Sequence, residues 1–234
     1  MTITFDAAST ASKTSGIATT FSWNHTVSDG TNSMLIVAAG IRTTASSLTH
    51  TTNITYAGTP LTRAVFARNE TASSAIVRTE LWYLLNPTSG TNAIEETFAN
   101  STFSVACGQL AASYKGTTGI GNTAATTGQS SQPGVIINIS SDSVPFNAAK
   151  SMAAVTLSTQ TGETIRAVST AGTDFHGISE GTTGFAGNQA LNWTGGVSTF
   201  WAIAALEILN AQAIPGDGGG ADLPRSRLVM GVGR

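Results

Sequence analysis

The sequence predicts an all-β protein, an antiparallel two-sheet sandwich of jelly-roll type with an extended C-terminal arm. Three observations predict it. Short runs rich in Val, Ile, Thr and aromatic residues recur between clusters of Gly, Asn, Pro, Ser and Thr, which is the spacing of a sandwich and not of a helical protein. Several runs alternate apolar and polar at period two, as in Val135, Ile137 and Ile139. Hydrophobic residues fill 41% of the 234 positions while charged residues fill only 10%, against roughly a quarter in an ordinary soluble domain. A core is therefore affordable, and the surface must be covered largely by Thr, Ser, Asn and Gly.

In chain order, strands are expected over 2–5, 19–27, 33–41, 53–56, 61–68, 75–85, 93–98, 102–114, 135–139, 152–158, 164–169 and 197–209. Phe103, Val105 and Cys107 form one inward set, and Ala153, Val155 and Leu157 another. Met34-Leu-Ile-Val-Ala-Ala39 and Leu81-Trp-Tyr-Leu-Leu85 are apolar at nearly every position, the mark of central strands covered on both faces. Turns are read at Ala57-Gly58-Thr59-Pro60 and at Asn86-Pro87-Thr88-Ser89-Gly90, both as antiparallel connections. The run from Phe200 to Leu209 is rich in Ala, Leu and Glu, so intrinsic preference alone would make it a helix. Its β-branched approach, Val197 and Thr199, and its place as the last apolar run of a β chain make it a strand. The expected domain is 1–210. Beyond it, 211–234 reads as a Gly-rich linker and arm in which Leu223, Leu228, Val229, Met230 and Val232 offer apolar contacts and Arg225, Arg227 and Arg234 offer charge.

Composition also narrows the function classes. The eleven basic residues are scattered, with Lys only at positions 13, 115 and 150, so nucleic acid is not an expected partner. The longest apolar run, 34–41, is strand-sized against the roughly 20 residues of a membrane helix. Membrane insertion is not expected. The opening Met1-Thr-Ile-Thr-Phe-Asp6 has neither a basic nor an apolar leader region, so synthesis in a cytoplasm is expected. Cys107 is alone, which excludes an intrachain disulfide and points to a core thiol.

The order of motifs resembles a family of β-sandwich domains of bacteriophage structural proteins and uncharacterised bacterial surface proteins. It is carried by Ile3-Thr-Phe-Asp-Ala-Ala-Ser9, Phe21-Ser-Trp-Asn-His-Thr-Val27, Asn32-Ser-Met-Leu-Ile-Val-Ala-Ala-Gly-Ile41 and Ile54-Thr-Tyr-Ala-Gly-Thr-Pro-Leu-Thr-Arg-Ala64. It continues through Glu80-Leu-Trp-Tyr-Leu-Leu-Asn-Pro-Thr-Ser-Gly-Thr91, Ala112-Ser-Tyr-Lys-Gly116 and Trp201-Ala-Ile-Ala-Ala-Leu-Glu-Ile208. The resemblance covers about residues 1–210 and implies fold more than activity; the arm departs from the family. It implies a structural protein of the virion, a capsid decoration or head-fibre subunit, made in the host cytoplasm. The expected partners are capsid or other virion proteins and further copies of the chain. The alternative is a carbohydrate-binding or adhesive module of a phage tail or bacterial surface.

No residue pattern supplies a catalytic, cofactor or metal expectation. Asp174-Phe-His176 is the single acid-histidine pair at strand spacing, read as a hydrogen-bonded loop before a metal site or general base. Lys115-Gly-Thr-Thr-Gly-Ile-Gly121 resembles a phosphate-cradling loop but lacks the Lys-Ser/Thr that should follow, so it reads as a turn. Glu95 and Glu96 are adjacent on a strand, face opposite ways and suggest an exposed or edge strand protected by charge. Asp142, Asp174, Asp217 and Asp222 do not form a calcium-loop pattern. Six Asn-x-Ser/Thr triplets are the chance product of a Ser/Thr-rich chain. Of the four Trp, positions 23, 82 and 201 lie in apolar strand patterns, while Trp193, beside Asn192 and Gly195, is the expected exposed ring for a glycan contact.

Overall fold

Strands whose side chains are apolar on both faces need cover on both faces, and the computed structural model supplies it with four stacked sheets. It describes residues 2–13, 19–43, 50–70, 75–99, 105–153, 158–159, 162–171, 174–183, 186–195 and 197–211. The first half holds β1 (Thr4–Lys13), β2 (Thr20–Val27), β3 (Met34–Thr43), β4 (Thr51–Tyr56), β5 (Thr59–Pro60), β6 (Thr62–Glu70), β7 (Ile76–Leu85), β8 (Gly90–Phe98) and β9 (Val105–Lys115). The second holds β10 (Thr117–Ser130), β11 (Gly134–Ile139), β12 (Val144–Ser151), β13 (Ser158–Thr159), β14 (Glu163–Ala171), β15 (Asp174–Gly181), β16 (Gly187–Thr194) and β17 (Thr199–Asn210). Every pairing is antiparallel.

The expected two-sheet sandwich is present, and it is present twice. The first half orders its strands β1-β9-β3-β7-β6 in one sheet and β2-β8-β4-β5 in the other; the second orders them β10-β17-β12-β15-β14 and β11-β16-β13. With the two-residue β5 set aside, renumbering from the start of each half makes the two windings the same, 1-8-3-6-5 in one sheet and 2-7-4 in the other, with the chain passing repeatedly between the sheets as in a jelly roll. Registers agree as well: Val27 pairs with Gly90, and Ile139 pairs with Gly187. The segments that follow, Gly90-Thr-Asn-Ala-Ile-Glu95 and Gly187-Asn-Gln-Ala-Leu-Asn192, keep Gly, Ala and the buried Ile94 or Leu191 in the same places.

The two five-stranded sheets face each other across the largest core cluster, in which Met34, Ile36, Ala38, Leu81 and Leu110 meet Phe146, Ala148, Ile178, Leu206 and Ile208. Leu35, Val37, Ala39, Trp82 and Ala111, the alternate side chains of the same first-half strands, pack on Ile54, Tyr56 and Ile94 of the outer sheet. In the second half Ala149, Phe175, Ile203 and Ala205 meet Val135, Ile137, Leu191 and Trp193. β3 is thus buried at all positions but one, where Arg42 is half-buried.

Matching turns close the two rolls with a carboxylate brought from different strands. The Ser28 amide after β2 donates to Asp6 Oδ2 at 3.0 Å, and the Ser140 amide after β11 donates to Glu207 Oε1 at 2.5 Å. Asp6 stands at a bulge of β1, while Glu207 comes from β17. Burial opposes ionisation of both, but the amide and hydroxyl donors around them win, and both carboxyls sit below their ordinary values.

Several expectations need correction. β10, β12, β15 and β16 were not anticipated at those places; Met152 and Ala153 form a bend after β12, and 154–157 lie outside the described residues. Lys115 to Gly121 is neither loop nor simple turn: Gly116 (φ 73) separates β9 from β10, which runs on from Thr117. The Ala57-Gly58 turn joins β4 to β5 with φ of 49 and 78, the left-handed pair of a tight hairpin. The Asn86 to Gly90 turn, by contrast, carries the chain from one sheet to another, so its flanking strands do not pair. The last apolar run is a strand, as expected.

Candidate functional site: the polar seam between the two rolls

Asp174 and His176 stand two apart on β15 and therefore on one face, the face turned to the first roll. What lets them enter is a pair of glycines. Gly40 on β3 and Gly108 on β9 are direct cross-strand partners, and the His176 ring fills the space that their missing side chains leave. A Cβ on Gly40 would lie 2.5 Å from His176 Nδ1, and one on Gly108 would lie 2.9 Å from His176 Cβ. The Gly108 carbonyl only accepts, so Nδ1 carries the hydrogen and donates to it, and Nε2 accepts from Thr79 Oγ1 at 3.1 Å. Burial, with the Lys150 charge adding to it, pulls the imidazole down to about 3, so it is neutral at physiological pH.

Asp174 is fully buried beside this ring. Its Oδ1 accepts from Arg42 NH1 at 2.6 Å, and its Oδ2 lies 3.5 Å from Lys150 Nζ, itself fully buried on β12. Asp174 and His176 therefore share a face but serve different partners. With both imidazole nitrogens committed and the ring out of solvent, a general-base or metal-ligand role has no open position.

A second polar cluster lies inside the first roll, and sequence reasoning misplaced it. β8 runs between β2 and β4, so the Glu95-Glu96 pair is not on an edge. Glu95 is exposed, but Glu96 is fully buried. Its Oε1 accepts from Thr51 Oγ1 at 2.5 Å, its Oε2 meets Gln109 Nε2, and Gln109 Oε1 accepts from the Gly40 amide at 3.0 Å. That chain of contacts ends at the glycine beneath His176. Burial, supported by the nearby Glu80 carboxylate against the Thr51 hydroxyl, pushes Glu96 up to about 8. Glu80, also buried, takes Arg78 Nε at 2.6 Å and Arg63 NH1 at 3.4 Å.

Trp193 corrects the remaining site expectation. It is 0% exposed, its ring meets Phe175 edge-on at 5.7 Å, and its indole nitrogen donates to Asn147 Oδ1 at 2.7 Å. No face of the ring is open to a sugar. Leu191, two residues earlier and also buried, carried the signal that would have placed it inside. Trp82 and Trp201 are buried and Trp23 is half-buried, in line with expectation. Cys107 is buried, and desolvation raises its thiol far above the ordinary value, as suits a core residue. The arm residues Leu223, Arg225, Arg227, Leu228, Val229, Met230, Val232 and Arg234 lie outside the described residues.

Two hydroxyl-lined clefts open on the described surface. One of about 340 Å³ is bordered by Thr118, Ser140, Ser141, Ser143, Leu209 and Asn210, and one of about 160 Å³ by Thr20, Ser22, Asn53, Thr55, Glu95 and Thr97. Among the described residues no three or more His, Cys, Asp or Glu side chains are grouped to hold a metal ion, and no helix is long and apolar enough to cross a membrane. Comparison of the chain with known protein families, with curated proteins and with solved structures finds no match.

Proposed function

We propose that the chain is a bacteriophage virion structural protein, a capsid decoration or head-fibre subunit, that works by assembling with copies of itself and with neighbouring particle proteins. One observation carries the reading: the buried acids and His176 of the two polar clusters are engaged in holding strands and sheets together, while an outward strand face such as that of β2 is a plain array of Thr, Ser and Asn. On β2 the exposed positions are Thr20, Ser22, Asn24 and Thr26, and Thr26 shares a hydroxyl hydrogen bond of 2.7 Å with Thr91 on β8. Such faces lose little charge hydration when a neighbour covers them, so they suit repeated subunit contact. The jelly-roll winding is common in capsid architecture, and the motif resemblance points the same way. The carbohydrate-binding alternative loses the ring on which it depended, because Trp193 is buried.

In this reading residues 211–234 tether the subunit. β17 ends at Asn210, and the Ala211 amide donates to the Gly116 carbonyl at 2.8 Å, which ties the chain to the roll just before the arm. A truncated chain of residues 1–210 is expected to keep the β circular dichroism and melting temperature of the full chain but to vanish from sedimenting particles. Incorporation at the full-length level would defeat the proposal.

A further inference from the structure

We propose that Lys150 and Asp174 become joined in the folded chain by an intramolecular isopeptide bond between Lys150 Nζ and Asp174 Cγ. The two side chains leave neighbouring strands, β12 and β15, on the same face, and both are fully buried. Nζ stands 3.5 Å from Oδ2, and neither of these atoms has a hydrogen-bond partner. A buried ion pair is tolerable when its remaining donors and lone pairs are satisfied; an ammonium with three N–H groups and no hydrogen bond is not. Joining the pair removes both charges and leaves one neutral amide in their place.

The surroundings supply what the condensation needs. Burial lowers the Lys150 pKa, against the pull of Asp174, and so makes the free amine more accessible as a nucleophile. Arg42 NH1 holds Oδ1 at 2.6 Å, where it polarises the carboxyl and stabilises the oxyanion of the tetrahedral intermediate. Nζ attacks Cγ, the Cγ–Oδ2 bond breaks, and Oδ2 departs as water. Starting from ammonium and carboxylate, two of the three Nζ hydrogens leave in that water and the third remains on the amide; nothing is oxidised or reduced. Oδ1 stays as the amide oxygen under Arg42. Because Arg42 belongs to β3 of the first roll, the reaction waits until the two rolls have docked.

The test is the intact mass of the purified full-length chain, followed by proteolysis and sequencing of the fragments. The expected mass is that of the sequence less one water, with a branched peptide linking Lys150 to Asp174 and no tryptic cleavage after Lys150. Asp174→Asn should instead lose one ammonia, Asp174→Ala should show the full mass, and Arg42→Gln should slow or abolish the loss of water. A folded wild-type chain at full sequence mass overturns the proposal, as does a loss of water that sequencing places elsewhere.

Discussion

Gly40→Ala is expected to cost about 3 to 5 kcal/mol, a large part of the roughly 5 to 15 kcal/mol that holds an ordinary domain folded. The added methyl would lie 2.5 Å from Nδ1 and 2.6 Å from Cγ of His176. The ring cannot simply retreat. Its two nitrogens are bound to the Gly108 carbonyl and the Thr79 hydroxyl, and moving it strands buried polar groups on both sides. The same strand also passes the Gly40 amide to Gln109, so displacement would disturb the Glu96 cluster behind it. A double-mutant cycle separates this from a general intolerance of side chains on β3. In a His176→Ala background Gly40→Ala should cost less by at least about 2 kcal/mol, whereas costs that add within about 0.5 kcal/mol would mean that the glycine does not serve the histidine.

Stability is expected to peak near pH 6.5 and to fall on both sides. Glu96 keeps its proton in the fold up to about 8 but releases it near its ordinary 4.5 when unfolded. Between those values the native state holds one proton more, so stability declines as pH rises, by up to about 1.4 kcal/mol per unit. Glu163, raised chiefly by burial, acts in the same direction. His25 and His176 do the opposite. Desolvation holds them down to about 4 and about 3 in the fold, against an ordinary 6.5. Below 6.5 the unfolded chain therefore binds up to two more protons, which outweighs Glu96, and stability falls as pH falls. Urea midpoints taken from about pH 4 to about pH 9 measure the profile, and Glu96→Gln should flatten the alkaline limb and steepen the acid limb, where Glu96 no longer opposes the histidines. An alkaline limb that survives in Glu96→Gln would contradict the assignment.

The class of fold was legible because alternation and turn residues do not depend on tertiary context. β3, β7 and β17 announced themselves as runs apolar on both faces, and the four-layer stack is the reason for those runs. β12 and β15 were hidden for a physical reason: Asn147, Lys150, Asp174, His176 and Ser179 are buried in them, so strands deep in the core read as polar. β10 is an edge strand rich in Thr, Gly and Ala, exposed at half of its positions, with no apolar face to give it away. The repeat of the winding was obscured because it is carried by strand order and register more than by residue identity; the paired Gly90 and Gly187 segments held its clearest trace. Of the seam, the sequence offered only the two-residue spacing of Asp174 and His176, on a segment read as a loop that proves to be β15. It did not show that Gly40 and Gly108, 68 positions apart in sequence, would meet there beneath His176 of a third strand. Trp193 was misplaced because its polar neighbours, which point the other way, were weighed above Leu191 on its own face.

The most direct measurement is mass spectrometry of density-purified particles from cells carrying the gene, with the chain quantified against the major shell protein. Assembly as the function predicts a fixed ratio in intact particles that persists after washing. A chain found only among unassembled proteins, with no stoichiometric place in any particle, would contradict it.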